Sequence, residues 1–131
     1  MAAIRELTPA ECADRLRRTE VGRIAVSTAD GPVIIPVNYT MDGECVVFRT
    51  SAYAELAAHA GDRVAFEIDE IESDMHRGWS VLVVGTAQLI EDVDDVVESG
   101  LAQALRAWAP GVRNLFIKIT PRRVTGRDVR P

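Results

Sequence analysis

Apolar and polar residues alternate over several short stretches of this chain, a pattern typical of β-strands with one buried face. Arg23–Ser27 is the first such stretch, and the largely apolar runs Val33–Tyr39 and Cys45–Arg49 follow it as two further predicted strands. The turn-forming pairs Asp30-Gly31 and Asp42-Gly43 separate them, so the pattern predicts two linked hairpins in an antiparallel meander. Pro36 lies inside the second strand and predicts an edge, a bulge or a place where a ligand meets the backbone.

Three further strands are predicted in the second half of the chain, at Val64–Asp69, Trp79–Ile90 and Leu115–Val124. Trp79–Ile90 is expected to be the longest strand, with a bend at Gly85. The number of strands and the short turns favour a mainly β fold, a closed antiparallel barrel of about six strands. With 131 residues, the chain is long enough for a single domain over residues 1–131 and too short for two.

Helices are predicted at the periphery of this barrel. The string Thr8-Pro9-Ala10-Glu11 combines a capping box with proline in the first turn, and predicts a helix that runs to about Thr19 and is broken by Gly22. An alanine-rich helix is predicted over Ala52–Ala60, and Asp92 begins a further helix whose apolar residues recur at helical spacing.

Composition narrows the classes of function. The formal net charge of −5 disfavours a broad electrostatic contact with nucleic acid or anionic lipid. Cys12 and Cys45 form no CxxC pair, and His59 and His76 lie in different elements, so neither a disulfide nor a metal site is expected. The sequence shows no signal-peptide pattern and no membrane-spanning apolar run, which favours a cytoplasmic protein. Without a nucleophile motif or a Walker loop, the catalytic residues are unknown, and a cofactor would have to supply the chemistry.

The segment Val46–Leu56 has the strongest chemical signal. A strand leads into Arg49, Thr50 and Ser51, and a helical pattern follows directly. One guanidinium group, two hydroxyls and the free amides of a helix start together suit a phosphate. From the residues alone the simpler interpretation leads, in which an outward-facing arginine precedes a helix cap. Glu55, one turn into the helix, would oppose a phosphate.

Seven short strings occur in order along nearly the whole chain: Val21–Val26, Pro36–Tyr39, Phe48–Thr50, Val64–Asp69, Gly78–Val81, Ile119–Pro121 and Val124–Arg127. Their order and spacing resemble the pyridoxamine 5'-phosphate oxidase-like family of flavin-binding split barrels, in its actinobacterial form. The resemblance implies a six-stranded split barrel with Greek-key topology. It also implies a homodimer with an FMN, or in some relatives a deazaflavin coenzyme, in a groove at the dimer interface.

The resemblance further implies roles for individual residues. It places the cofactor phosphate at the end of the third strand, on Arg49, Thr50 and Ser51, and the flavin ring along Ile35, Pro36, Val37 and Asn38. Trp79 would shield one face of the ring, or else serve as a core or interface aromatic. Many relatives carry a glycine and then a lysine where this chain has Tyr53 and Glu55, so Glu55 inverts one charge of the site. Glu67 and Asp69 are expected to face water.

The resulting hypothesis is an FMN-dependent oxidoreductase that acts on a small organic molecule. One alternative keeps the fold and uses a deazaflavin coenzyme instead. The other is a non-enzymatic protein that binds a flavin or another planar ligand, or that binds no cofactor because of Glu55.

Overall fold

The computed structural model describes residues 3–50, 61–90 and 115–131. The elements in these ranges are β1 (Ala3–Glu6), α1 (Pro9–Arg18), β2 (Val21–Thr28), β3 (Gly31–Asp42), β4 (Cys45–Thr50), β5 (Arg63–Glu72), a 3₁₀ turn (Ser73–Met75), β6 (Arg77–Ile90) and β7 (Leu115–Arg130). The helices predicted over Ala52–Ala60 and from Asp92 lie outside the described residues.

Six strands close into a ring in the order β7-β4-β3-β2-β5-β6, which the pairing of β6 with β7 completes. All pairings are antiparallel. Because β5 lies beside β2 and not beside β4, strands β2 to β5 form a Greek key. The short strand β1 pairs with the far end of β7, from Ala3 opposite Arg130 to Glu6 opposite Arg127. The predicted six-stranded antiparallel barrel is confirmed.

Two details of the predicted strands are wrong. The longest strand is β7, with 16 residues against 14 in β6, because the chain beyond Val124 stays extended and pairs with both β6 and β1. Three of the six residues from Thr125 to Arg130 are exposed and the buried one is Asp128, so the segment shows no apolar alternation. Gly22 does not end the helix but lies inside β2, where a Cβ atom would collide with the ring of Phe66.

Helix α1 begins with the predicted capping box. The amide of Glu11 donates to Thr8 Oγ1 at 3.2 Å, and the amide of Thr8 donates to Glu11 Oε1 at 3.0 Å. Cys12 and Leu16 are buried on its inner face, as predicted. At the other end, the hydroxyl of Tyr39 donates to the Leu16 carbonyl at 2.6 Å, which ties the helix to β3. Burial raises the pKa of Tyr39, so this donor stays protonated.

The hydrophobic core fills the barrel from alternate positions of every strand in the ring. Its largest fully buried side chains are Phe48, Phe66, Ile24, Ile68, Ile117, Ile119, Val46, Val81 and Val83. The ring edge of Tyr39 packs on Phe66 with a centroid distance of 4.9 Å and an interplanar angle of 70°, an edge-to-face contact. One chain therefore completes this inner face.

A β-bulge interrupts the pairing of β6 with β7. Gly85 pairs with Pro121 while Val84 pairs with Arg123, so Arg122 has no partner in β6. The bend predicted at Gly85 is confirmed by this irregularity. A Cβ atom at Gly85 would collide with the carbonyl oxygen of Thr120, so the close approach of the two backbones requires glycine.

Candidate functional site

Arg49 lies near the end of β4, on the face of the barrel wall opposite the core. It pairs with Phe116 of β7, and its guanidinium carbon lies 5.6 Å from the centre of the Phe116 ring. Extending the register from Tyr39 opposite Phe48 places Asn38 opposite Arg49, on the same outer face. Arg49 and Asn38 are both half-buried. The predicted phosphate ligand thus lies on the same outer face as the one amide side chain of the predicted ring strand.

The edge of β3 next to Arg49 is paired with β4 over only part of its length. Residues 31–38 of β3 pair with β2, whereas only residues 39–42 pair with β4. On its β4 side, the first part of β3 therefore has no strand partner within the described ranges. Pro36 lies in this part, opposite Arg23, so the edge that Pro36 predicted is confirmed. Backbone groups along such an edge can bind the polar rim of a planar ring.

The four predicted ring contacts face two directions. Ile35 and Val37 are partly buried and pack against the core, so their side chains point away from Arg49. Pro36 and Asn38 alternate with them on the outer face. A ring on the outer face would therefore meet Ile35 and Val37 only through their backbone.

Trp79 is not close to Arg49 in the same chain. It lies near the start of β6, half-buried against the core, with the guanidinium carbon of Arg15 5.2 Å from its ring centre. The β6 residue that pairs with Phe116, the neighbour of Arg49, is Ile90 near the other end. At about 3.3 Å per residue, Trp79 and Ile90 are roughly 35 Å apart along the strand. A contact of Trp79 with a flavin stays a prediction that requires the groove of a second protomer.

Several other predicted site residues lie outside the described residues. Ser51 and Glu55 belong to residues 51–60, as do Tyr53 and His59, and the side chain of Thr50 is likewise not described. His76 is exposed on the turn before β6, with a positive φ of 50°. Among the residues described, no cluster of three metal-ligating side chains occurs, and both cysteines are free thiols.

Apolar residues from four adjacent strands form a row across the outer face. Ala25 pairs with Ile34 on one side and Ala65 on the other, and Ala65 pairs with Val84. The side chain of Ile34 is 68% exposed, while the other three are half-buried. We call Ile34, Ala25, Ala65 and Val84 the outer apolar row. A row of this kind is suited to contact with another protein surface.

A charged cluster lies directly beside the outer apolar row. Arg23 donates to Glu67 Oε1 at 2.9 Å and to Asp69 Oδ1 at 3.2 Å, so one guanidinium group bridges two carboxylates. The Glu67 and Asp69 side chains are 35% and 19% exposed, so the expectation that they face water holds only in part. Burial, together with the hydrogen bond and charge of Asp69, raises the pKa of Glu67 to about 7. Glu67 also lines a groove of about 730 Å³ with Ser80, Leu82 and Arg127.

Sequence reasoning missed the bridge that Arg23 makes. Arg23, Glu67 and Asp69 each occupy an outward position on an alternating strand, which the sequence does show. Their contact depends on β5 pairing with β2 in the register Arg23 opposite Glu67, a long-range pairing that alternation alone does not determine.

Comparison with known proteins agrees with this fold. The sequence profile of the pyridoxamine 5'-phosphate oxidase family matches residues 8–128. The uncharacterized protein Rv0080 of Mycobacterium tuberculosis is 31% identical over 127 residues, which span 92% of this chain and 82% of that protein.

Two solved structures show the same similarity. The FAD binding protein of Mycobacterium smegmatis superposes with a TM-score of 0.80 at 30% identity, over 96% of this chain and 98% of that one. An FAD-binding protein of Mesorhizobium loti gives a TM-score of 0.77, over 95% of this chain and 97% of that one, but at 23% identity it supports the fold alone. Within the described residues, no helix is long and apolar enough to cross a membrane. The extent of the profile match, with the six-stranded split barrel, shows that the chain belongs to the pyridoxamine 5'-phosphate oxidase-like family.

Proposed function

We propose that this chain binds the flavin mononucleotide unit, which FMN and FAD share, and uses it as an oxidoreductase on a small organic molecule. FMN is the cofactor we expect. The observation that carries the proposal is the position of Arg49 on the same outer face as Asn38, next to the part of β3 that no described strand pairs on its β4 side. This combines a guanidinium group for a phosphate, an amide for a polar ring edge and strand backbone for the rest of the ring.

The residues around Arg49 fit such a group. Val47 and Phe116 are buried but lie outside the barrel core cluster, so apolar side chains pack beside the arginine on the outer face. The contact of Arg49 with the Phe116 ring holds the guanidinium in place, which reduces the entropy lost when a phosphate binds. Lys118 adds a second cation on this face of β7, where it pairs with Val47 and lies 3.7 Å from Asp42.

Each part of the site has a distinct task. A bound flavin would supply the transfer of two electrons that no side chain here can perform. Arg49 would bind the phosphate, and Asn38 with the backbone of residues 34–38 would orient the ring. No described residue is placed to act as an obligatory acid or base on a substrate, so the chain's contribution is to position the reactants and exclude water.

We further propose that the protein acts as a homodimer, with the flavin groove between the two protomers. The outer apolar row, which exposes Ile34, supports this proposal, as does the adjoining groove of about 730 Å³. In such a dimer, Trp79 or Arg127 of one chain could reach the flavin bound at Arg49 of the other. This arrangement explains why Trp79 and Arg49 are far apart within one chain.

Titration of the purified protein with FMN and with FAD tests the proposal through quenching of flavin fluorescence. We expect Arg49→Gln to weaken binding of both by about tenfold or more, because the charge-assisted hydrogen bonds to phosphate are lost. Arg63→Gln removes an exposed arginine elsewhere on the barrel and is expected to change affinity less than twofold. Equal weakening by both variants would indicate a general charge effect and would contradict the site.

Glu55→Lys and a deazaflavin coenzyme complete the experiment. If wild type binds neither flavin and Glu55→Lys binds FMN, then the proposed cofactor is wrong for this chain although the site is correctly located. If only the deazaflavin binds, the reductase alternative replaces the FMN-dependent one. Turnover of the bound flavin with a chemical reductant and a quinone then distinguishes an enzyme from a non-enzymatic binding protein.

A further inference from the structure

A second cleft lies at the opposite end of β4 from Arg49. It has a volume of about 320 Å³ and is formed by α1, the turn between β3 and β4, and the segment of β7 that contains the bulge. Cys45, at the start of β4, pairs with Asp42 beside this turn, whereas Arg49 lies near the end of the strand. The cleft is thus separate from the candidate flavin site.

The bulge shapes one wall of this cleft. In a regular strand successive side chains point to opposite faces, so a single cleft would receive only every second residue. Here four consecutive residues of β7, from Pro121 to Val124, line the cleft. Arg122, which has no partner between Val84 and Gly85 of β6, interrupts the alternation at this point. A bulge that redirects side chains into a cavity is a common feature of binding sites.

The rim of the cleft is cationic. Arg17, Arg122 and Arg123 line it, against the single carboxylate of Glu44. In the part of the chain that the structure describes, none of these three guanidinium groups makes an ion pair or a side-chain hydrogen bond, whereas Arg5, Arg23 and Arg77 each pair with a carboxylate. This local excess of positive charge occurs in a chain whose formal net charge is −5. A bound anion would provide these guanidinium groups with a partner of opposite charge.

The floor of the cleft is apolar. Ala13 and Leu16 from α1, Met41 from β3 and Val124 from β7 contribute to it. Val124 is 37% exposed, so its side chain is open to a ligand. A small inorganic anion would bind the arginines but would not cover the apolar floor of the cleft. The cleft volume of about 320 Å³ is near the lower end of the range for small-molecule sites. The occupant should therefore combine an anionic head with a short apolar body.

We propose that this cleft binds a small amphipathic carboxylate, of which a medium-chain fatty acid is the simplest example. Glu44 offsets one of the three positive charges, which leaves two guanidinium groups for the two oxygens of a carboxylate. The hydrocarbon chain lies on the floor between Leu16 and Met41. This site does not depend on the flavin proposal, because it shares no residue with the surroundings of Arg49.

Isothermal titration of the purified protein with octanoate tests the inference. Binding is expected with a dissociation constant of about 100 μM or tighter, from the size of the ligand and the cleft. Arg122→Gln and Arg123→Gln should each weaken it by about tenfold, since each removes a charge-assisted contact. Arg63→Gln, a matched loss of one exposed arginine outside the cleft, should change affinity less than twofold. Ala13→Phe keeps every charge and fills the floor, so it should abolish binding while circular dichroism shows an intact fold.

Two related ligands test the contributions of the anionic head and of the apolar body to affinity separately. Heptyl glucoside has the same heptyl tail with a neutral head, and acetate has the carboxylate without the tail, so both should bind at least tenfold more weakly than octanoate. An excess of FMN should leave the octanoate affinity unchanged. The proposal is overturned if octanoate does not bind, if octyl phosphate binds and octanoate does not, if FMN displaces octanoate, or if the Arg122, Arg123 and Ala13 variants bind as wild type does.

Discussion

Strands β2, β3 and β5 present two faces of very different character. On the inner face, Ile24, Phe66 and Ile68 are fully buried in a core that one chain completes. On the outer face of the same strands, Ile34 is 68% exposed and Arg23 bridges two half-buried carboxylates. The alternation of the strands separates these two sets of residues by a single position.

The two faces contribute differently to the stability and to the function of this barrel. The inner face consists almost entirely of hydrocarbon, so its contribution to folding comes from burial and close packing. The outer face carries the outer apolar row and the Arg23 cluster, and it borders the part of β3 that no described strand pairs on its β4 side. None of these features is required to fill the core. Substitutions on the inner face should therefore reduce the free energy of unfolding, whereas outer substitutions should change association, ligand binding or pH dependence.

The largest effect is expected from Phe66→Ala. Phe66 is fully buried, contacts the Tyr39 ring and packs against the position of Gly22, so its loss leaves a cavity at the centre of the core. Such truncations reduce the free energy of unfolding by about 3–5 kcal/mol. Urea denaturation at one fixed protein concentration measures this. Ser27→Ala, at an exposed position of β2, is the control and should stay within about 0.5 kcal/mol of wild type.

The next largest effect should be on association. If the outer apolar row forms the dimer interface, then Ile34→Asp places a charge on its most exposed member and should raise the dimer dissociation constant by about thirtyfold or more. Sedimentation over a range of concentrations measures that constant, with Ala10→Asp as a control at an exposed position of α1. A wild-type protein that stays monomeric throughout, or an Ile34→Asp variant that associates normally, would contradict the proposed interface.

The inner face was predictable from the sequence, and the outer face was predictable only in part. Alternation, short apolar runs and turn residues together located all six strands of the ring, and the capping box located α1, because these signals are local. The Arg23 cluster depends on pairing between β2 and β5, about forty residues apart. The polar end of β7 was missed because it shows no apolar alternation. The position of Arg49 near the end of a strand was predicted from local sequence, whereas its place on the same outer face as Asn38 follows from the pairing of β3 with β4.

The smallest effect we predict concerns the dependence of stability on pH. The pKa of Glu67 is raised to about 7, chiefly by burial, so the folded chain binds a proton that the unfolded chain releases near its ordinary pKa of 4.5. The free energy of unfolding should therefore fall as the pH rises from about 4.5 to 7. Because the side chain is 35% exposed and water screens its charge, we expect a change of about 1 kcal/mol or less.

Glu67→Gln separates this contribution from that of other carboxylates. The variant should flatten the decline between pH 4.5 and 7 in thermal unfolding curves, because glutamine does not titrate. Glu11 is the matched control with the opposite sign, since the hydrogen bond from Arg5 lowers its pKa to about 2, so its stabilising effect is lost only as the pH falls below 4.5. Glu11→Gln should therefore alter the acid side of the curve and leave the neutral decline in place. A Glu67→Gln variant that retains the full decline would show that the outer cluster does not control it.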